Sequence, residues 1–444
     1  MPESELALRW SRIAGETMVT EEGERVRVLY PGLCVGGEGP DFKDAVLVFG
    51  DSQVVRGDVE IHALEEDWDR HGHGSDPRYC ALALHVVGSA RRVARTRLSD
   101  GRTVPVAVLA RTGQMRPGAG LPCVDVVNRD VGAALAVLRA AGIERLRMRA
   151  APLEGELLGG DVQQVQLRRV ARALGYSPNA DIFEELGRRV CVSETLSALV
   201  QVSFEGRRAR IMGMAGLLPS QRRRAGLMVH GEVPFFERLW SRLPSQPASL
   251  EPLAWKLHGV YPNNSPVRRV VALADILPSL VRIGEFAEAV ARECLLGADA
   301  SLASLEQQLV VRGDSYWRTH YDFGLPTRDS DVLGLSKARG LVVNALVPCL
   351  YARASVLADT TLRRAVLEMY CRYPAPSPNA LTRHMRRQLG LGRTHVSAAV
   401  EQGLLHLLTQ YCREGLCFVC PFGGWSSGVI ASPESAGLSS GTYC

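Results

Sequence analysis

Lysine is almost missing from this chain. Of 52 basic residues only Lys43, Lys256 and Lys337 are lysines, and the other 49 are arginines. A cationic contact is therefore nearly always a planar, permanently charged guanidinium. Long apolar runs are missing too. The nearest candidate, residues 340–358, is interrupted by Asn344, Pro348 and Arg353, so it reads as a buried helix and not a membrane span. The opening "MPESELALRW" has neither a basic start nor an apolar signal core. A cytoplasmic protein with no membrane partner is the expectation. There is no Walker loop, no G-x-G-x-x-G between strand and helix, and no G-x-S-x-G elbow. That argues against a nucleotide-hydrolysing motor, a Rossmann dehydrogenase and a serine hydrolase. No fixed-period repeat is found.

What is present suits a globular protein of two or three domains: 444 residues, 46% hydrophobic and 22% charged. The net charge of +5 is too mild to demand a polyanionic partner. Eleven cysteines occur, eight of them scattered singly, as reduced thiols of a cytosolic protein would be.

The texture changes along the chain. "RVRVLYPG", "DAVLVFG", "VVRGDVEIHAL", "YCALALHVVG" and "VPVAVLA" read as strands, preceded by a helix over 3–14. "RTGQMRPGAGLPC", 111–123, has the composition of a linker. From about 128, apolar residues recur at helical spacing, with proline-rich breaks at "RLPSQPAS" and "RYPAPSPN". The expected fold class is α+β, with a small N-terminal α/β domain over 1–120 and a large all-α region over 121–423. Residues 424–444 read as a flexible tail.

The stretch that raises a chemical question is "GPDFKDAVLVFGDSQVVRGDVEIH", 39–62. Its two apolar runs should pair as a hairpin. A two-residue Gly50-Asp51 turn would oppose Asp41 to Glu60, and a four-residue loop would oppose Asp41 to His62. Either way Asp41, Glu60 and His62 meet, with Glu60 and His62 on one face. Facing carboxylates repel unless a cation or shared proton intervenes, and a divalent ion such as Mg²⁺ or Mn²⁺ would remove the conflict. The alternative is an ordinary hairpin with a turn aspartate and a solvated glutamate. Downstream, "DWDRHGHGSDPRYCALALHVV" adds His71, His73 and His85. An H-x-H pair can bind zinc when further ligands converge, while loop polarity and a buried, carbonyl-bonded His85 are the structural alternatives.

Pro40, Asp41, a hairpin and Glu60 two residues before a basic position resemble the PD-(D/E)XK nuclease superfamily, with His62 standing where that superfamily has lysine. The resemblance implies a restriction-endonuclease-like mixed sheet and Mg²⁺ held by Asp41 and Glu60. On a wider scale "GPDF", "GDVEIH", "DWDRHGH" and "YCALALHVV" resemble a bacterial family, domain-of-unknown-function family 2851. So do "NADIFEELGRRV", "MGMAGLLP", "YPNNSPVRRV", "YWRTHYDFG", "LGLSKARGLVVNALVPCLYA" and "AVEQGLLHLLTQYCREGLCFVC", over most of 1–423. Tyr261 departs from it, where arginine is expected. The family implies no activity of its own.

"YCREGLCFVC" places Cys412, Cys417 and Cys420 in a C-x4-C-x2-C array, a candidate for zinc or an iron–sulfur cluster, with Cys371, Cys349, Cys444 or His406 as the fourth ligand. Reduced structural thiols are the alternative. Arg222–Arg224, and Arg383, Arg386 and Arg387, could meet phosphates or form solvated faces. The leading expectation is a metal-dependent nuclease with Asp41 and Glu60 as ligands and His62 as water-positioning group. Its rivals are a non-catalytic nucleic-acid-binding or scaffold protein with a degenerate domain, and a zinc hydrolase built on His62, His71, His73 and His85. The sequence leaves DNA versus RNA and oligomeric state open.

Overall fold

A computed structural model describes residues 1–423 except 35–37, 51, 91–92, 110–120, 122, 125, 244, 261–263 and 298–300. The tail 424–444, Tyr261, Asp51, Gly36, Gly37 and nearly all of the expected linker 111–123 lie outside the described residues. The protein is α+β, a mixed eight-stranded sheet followed by a large helical region.

The chain divides into two compact units. The first comprises Met1–Gly142, Pro378–His395 and the chain from Val400 onward; the second comprises Ile143–Ser377 and Val396–Ala399. This differs from the expected partition at 120, because the cysteine-rich end belongs with the sheet. Arg56 pairs with Glu414, Arg413 with Asp44 at 3.0 Å, and Tyr30 hydroxyl meets His384 Nε2 at 3.1 Å. Partners more than 300 residues apart leave no trace in local composition.

In the first unit, α1 (Glu3–Trp10), shorter than the expected 3–14, is followed by β1 (Thr17–Val19), β2 (Arg25–Tyr30) and β3 (Leu33–Cys34). Then come β4 (Phe42–Phe49), β5 (Gln53–Leu64), α2 (Asp67–Arg70), β6 (Leu82–Ser89), β7 (Arg95–Arg97) and β8 (Thr103–Val108). The strand order is β1-β2-β4-β5-β6-β8-β7, with β3 beside β4. β5–β6 and β6–β8 are parallel, and the other pairs are antiparallel. A bridge between Thr20 and Ala107 curls the sheet. Alternation then sorts the side chains. Val59 and Ile61 of β5, and Leu84 and Val86 of β6, enter a core with Leu6 and Trp10 of α1. Glu60, His62 and His85 are sent to the opposite face, yet all three are buried, so both faces are covered here.

The hairpin pairs as expected but in neither expected register. Phe49 opposes Gln53 across a three-residue connection, and Ala45 opposes Gly57. Between Ala45 and Phe42 the register shifts, so that Phe42 opposes Val59. The extra residue is absorbed at a bulge where Asp44 takes φ +57° and its N–H donates to Asp58 Oδ1 at 3.2 Å. That one-residue slip restores Asp41 to a place opposite Glu60.

The second unit is helical. Val162–Leu174, Tyr176–Val190, Phe204–Met214, Pro266–Leu280, Ile283–Leu295 and Thr360–Arg372 contribute to one extended apolar core. The apolar run is largely buried over 341–354, as Leu335–Leu341 passes through a π turn at Val342–Leu346 into Val347–Val356, while Leu357 is exposed. Among the described residues no helix is long and apolar enough to cross a membrane.

Candidate metal centre

β5 delivers Glu60 and His62 two residues apart on the same face, and β6 places His85 beside Glu60 in the parallel register. After β5 the chain turns through α2, carries His71 at that helix's C-terminal boundary, and reaches His73 one tight turn later, helped by Gly72 at φ +73°. Trp68 and Tyr79, both buried, wall the cluster. The Tyr79 ring stacks on His73 at 4.3 Å between centroids, and Trp68 meets the edges of His62 and His73.

The donor atoms converge. His71 Nδ1 stands 3.3 Å from His62 Nε2. Glu60 Oε1 stands 3.6 Å from His62 Nε2 and 3.4 Å from His73 Nε2. Among the described residues, His62, His71 and His73 form the one group of three that offers ligand atoms all within 4.8 Å of one another. A tetrahedral zinc ion with bonds of about 2.0–2.1 Å requires ligand atoms about 3.3–3.4 Å apart. The His62–His71 separation falls close to that edge length, so the three histidines fit such an ion, with Glu60 beside them although outside the group of three.

His85 is not part of the ligand group. Its Nε2 lies 2.9 Å from His62 Nδ1 and its Nδ1 lies 2.7 Å from Thr96 Oγ1. For His62 to offer Nε2, its Nδ1 must carry the proton and donate to His85 Nε2; His85 Nδ1–H then donates to Thr96. The chain fixes the tautomer and ring orientation that a ligand needs. Thr96→Val keeps the shape and removes this acceptor. It should weaken zinc affinity roughly 10–100-fold, read by competition with a chromogenic chelator, while circular dichroism stays unchanged.

Asp41 and Glu60 meet in an interlocked pair. The Asp41 N–H donates to Glu60 Oε2 at 2.9 Å, and the Ile61 N–H donates to Asp41 Oδ2 at 3.1 Å. Burial first, then the Asp41 charge, push Glu60 up to about 8. Burial first, then His73 and His71, push His62 down to about 4, and burial with His62 and His73 pushes His85 down to about 3. His73 is also lowered, chiefly by burial. At neutral pH His62 and His73 are therefore neutral, as ligands must be, and Glu60 keeps a proton that an incoming cation would displace.

The other expected sites fare differently. Arg222 is buried on Asp322 at 2.8 Å and Arg386 on Glu401 at 2.6 Å, so one arginine of each basic cluster is spent inside the fold. Cys412, Cys417 and Cys420 share a short loop, but they do not form a ligand group of the kind the histidines do. Thiolates on one zinc at about 2.3 Å would stand about 3.8 Å apart. Cys349 and Cys371 fall in the second unit, Cys444 lies outside the described residues, and His406 faces the Tyr411 ring. The neighbour that composition could not reveal is Cys123. It accepts from Gln388 Nε2 at 3.1 Å, and burial, then the neighbouring Cys123 thiol, push the Cys412 thiol well above its usual value. In the loop Cys412 and Phe422 are buried, Cys417 and Cys420 are half-buried, and Phe418 is 79% exposed.

A family described as a protein of unknown function (DUF2851) matches residues 8–377 of the chain. No curated protein matches, and no solved structure matches.

Proposed function

The chain belongs to the DUF2851 family, and from that premise we propose that it is a metal-dependent hydrolase whose ion is held by His62, His71 and His73 with Glu60. The observation that carries the reading is the convergence of His62, His71 and His73, whose ligand atoms all lie within 4.8 Å of one another, with Glu60 Oε1 beside His62 and His73 at 3.6 and 3.4 Å. Zinc suits three imidazoles and a carboxylate better than Mg²⁺ or Mn²⁺, which favour oxygen ligands. The substrate class we assign is the phosphodiester of nucleic acid. Its support is the opposed Asp41–Glu60 pair on a hairpin, the arrangement that resembles the PD-(D/E)XK nucleases.

A divalent ion in this site would polarise a phosphoryl oxygen and acidify bound water. The protein's own groups do the positioning. His85 and Thr96 hold the His62 proton at Nδ1. Tyr79 and Trp68 orient His73 and His62. Asp41, half-buried beside Glu60, adds negative charge that a cation neutralises, and burial raises its own proton affinity.

The experiment is elemental analysis of protein purified without chelators, then cleavage assays on single- and double-stranded DNA and RNA with Zn²⁺, Mg²⁺ or Mn²⁺. Zinc close to one ion per chain that Glu60→Gln loses, with metal-dependent cleavage, is the expected result. No cleavage of any nucleic acid despite bound zinc would remove the phosphodiester assignment. No bound metal at the histidines would return the scaffold reading.

A further inference from the structure

The hydroxyl of Tyr79 is a polar group of the histidine cluster that holding an ion does not use. Local sequence sets the residue firmly. In "SDPRY", 75–79, Asp76 caps a 3-10 turn, Pro77–Tyr79, and Pro77 opens it. The Asp76 carboxylate accepts from the Arg78 N–H at 2.9 Å and from Arg78 Nε at 2.8 Å. The turn delivers the Tyr79 ring into an apolar cluster with Trp68, Leu82, Leu98 and Val104. The residue is 4% exposed. Its ring stacks on His73 and meets the Trp68 ring edge-on at 5.3 Å. A ring packed in this way fixes where its hydroxyl points.

That hydroxyl reaches the metal centre. It lies 3.4 Å from His73 Nε2, the same atom that faces Glu60 Oε1 at 3.4 Å. For Nε2 to serve as a ligand it must be bare, so in this contact the phenol donates and the imidazole accepts. Among the described residues His73 Nε2 is the one hydrogen-bond partner of this hydroxyl.

Metal binding removes that acceptor. An ion about 2.0–2.1 Å from Nε2 takes the lone pair that the phenol was using. Glu60 is no ready substitute. Its Oε2 already accepts from the Asp41 N–H at 2.9 Å, and its Oε1 faces the ion. Asp76 is engaged by Arg78. A phenol keeps its proton at ordinary pH, and a buried hydroxyl without an acceptor is costly. It therefore needs a new oxygen, and the ion can bring one. Zinc on His62, His71 and His73 has a position beyond these three, and with Glu60 in that position it still takes a further oxygen by expanding to five-coordinate.

On the hydrolase reading, we propose that the Tyr79 hydroxyl is a substrate-binding group, which donates to an oxygen of the tetrahedral oxyanion that enters beside the ion. The oxyanion is the phosphate group of a diester or free phosphate. A neutral donor fixed in place before the anion arrives stabilises the charge on that oxygen without reorganisation. The ring orients His73, and the hydroxyl holds the substrate.

The probes are inorganic phosphate and dimethyl phosphate, titrated into the full chain loaded with cobalt(II), whose visible absorption responds to its oxygen ligands. Tyr79→Phe keeps the ring on His73 and removes only the hydroxyl. Its zinc affinity, read by competition with a chromogenic chelator, should not fall, because the ligand set is intact. Its cobalt form should bind the oxyanion roughly 10–100-fold more weakly than the wild type, as expected for the loss of one hydrogen bond to a charged group. That loss supports the donor with either probe. Tighter wild-type binding of dimethyl phosphate than of phosphate identifies a diester site, and the reverse identifies the free anion. A cobalt spectrum that neither probe changes, or equal oxyanion affinity in the two cobalt-loaded proteins, overturns the donor and leaves the metal centre standing. Zinc affinity that falls in Tyr79→Phe while oxyanion affinity holds makes Tyr79 a support for His73 alone, and overturns the donor too. Wild-type protein that takes up neither cobalt nor zinc overturns the metal reading and the donor together.

Discussion

His71→Ala is expected to cut zinc-dependent stabilisation by about 3 kcal/mol and to leave the metal-free fold untouched. Structural zinc sites bind with about 10–16 kcal/mol, so one ligand in four carries about 3 kcal/mol, roughly a hundredfold in affinity. His71 is exposed, and removing an exposed side chain typically moves stability by less than about 0.5 kcal/mol. His62→Ala should lose at least as much affinity but also destabilise the apo-protein. His62 is 1% exposed, and its loss leaves a void and strips His85 Nε2 of its partner, at a cost of about 1–3 kcal/mol. The two variants are compared by melting with and without zinc. A zinc-induced rise that both substitutions leave undiminished would sink the histidine site. His62→Lys separates the chemistries. If His62 serves as a water-positioning cation, lysine should sustain activity at high pH, where histidine is neutral. If it serves as a ligand through Nε2, the lysine variant should be metal-free and inactive.

How much of this was legible in the sequence follows from the range of each interaction. β4 and β5 announce themselves because valine-rich alternation and a glycine turn are local signals. The meeting of Asp41 with Glu60 was legible as well, although by an argument that missed its cause. Turn length alone predicts a register that the three-residue connection does not produce, and the Asp44 bulge brings the carboxylates back into line. A bulge is the outcome of competing pairings, here with Asp58 behind it, and no composition rule places it. The histidines were legible as a cluster but not as an order of roles. His62 and His85 look alike in sequence, and only the side-chain chain from Thr96 to His62 separates a ligand from its support. Cys123 and the C-terminal loop are some 290 residues apart, and Arg222 and Arg386 needed Asp322 and Glu401 to be found before they could be called internal. Long-range pairing decides all of these, and a single sequence does not carry it.

Glu60→Gln should turn a pH-dependent apo-protein into a less pH-dependent one. Glu60 keeps its proton up to about 8 in the fold, against 4.5 when free. A group whose acid form is favoured by folding contributes stability at low pH and withdraws it as pH rises from 4.5 to about 8. His62 and His85 work in the opposite sense, because folding depresses them. Their contribution grows as pH rises from about 4 to 6.5, and is complete above that. The clean window is therefore pH 6.5 to 8, where the wild type should lose about 2 kcal/mol relative to Glu60→Gln. Lys337, with its ammonium lowered to about 6, adds stability across the same window, but equally in both proteins, so the difference between them isolates Glu60. Urea unfolding of the metal-free proteins at several pH values measures it. Zinc should then reverse the ranking: it displaces the Glu60 proton in the wild type, binds the glutamine variant far more weakly, and so makes the wild type the more stable of the two at pH 8. Parallel pH profiles for the two metal-free proteins would mean that Glu60 is ionised in the fold without a cation. The conflict between Asp41 and Glu60, on which the metal reading leans, would then not exist.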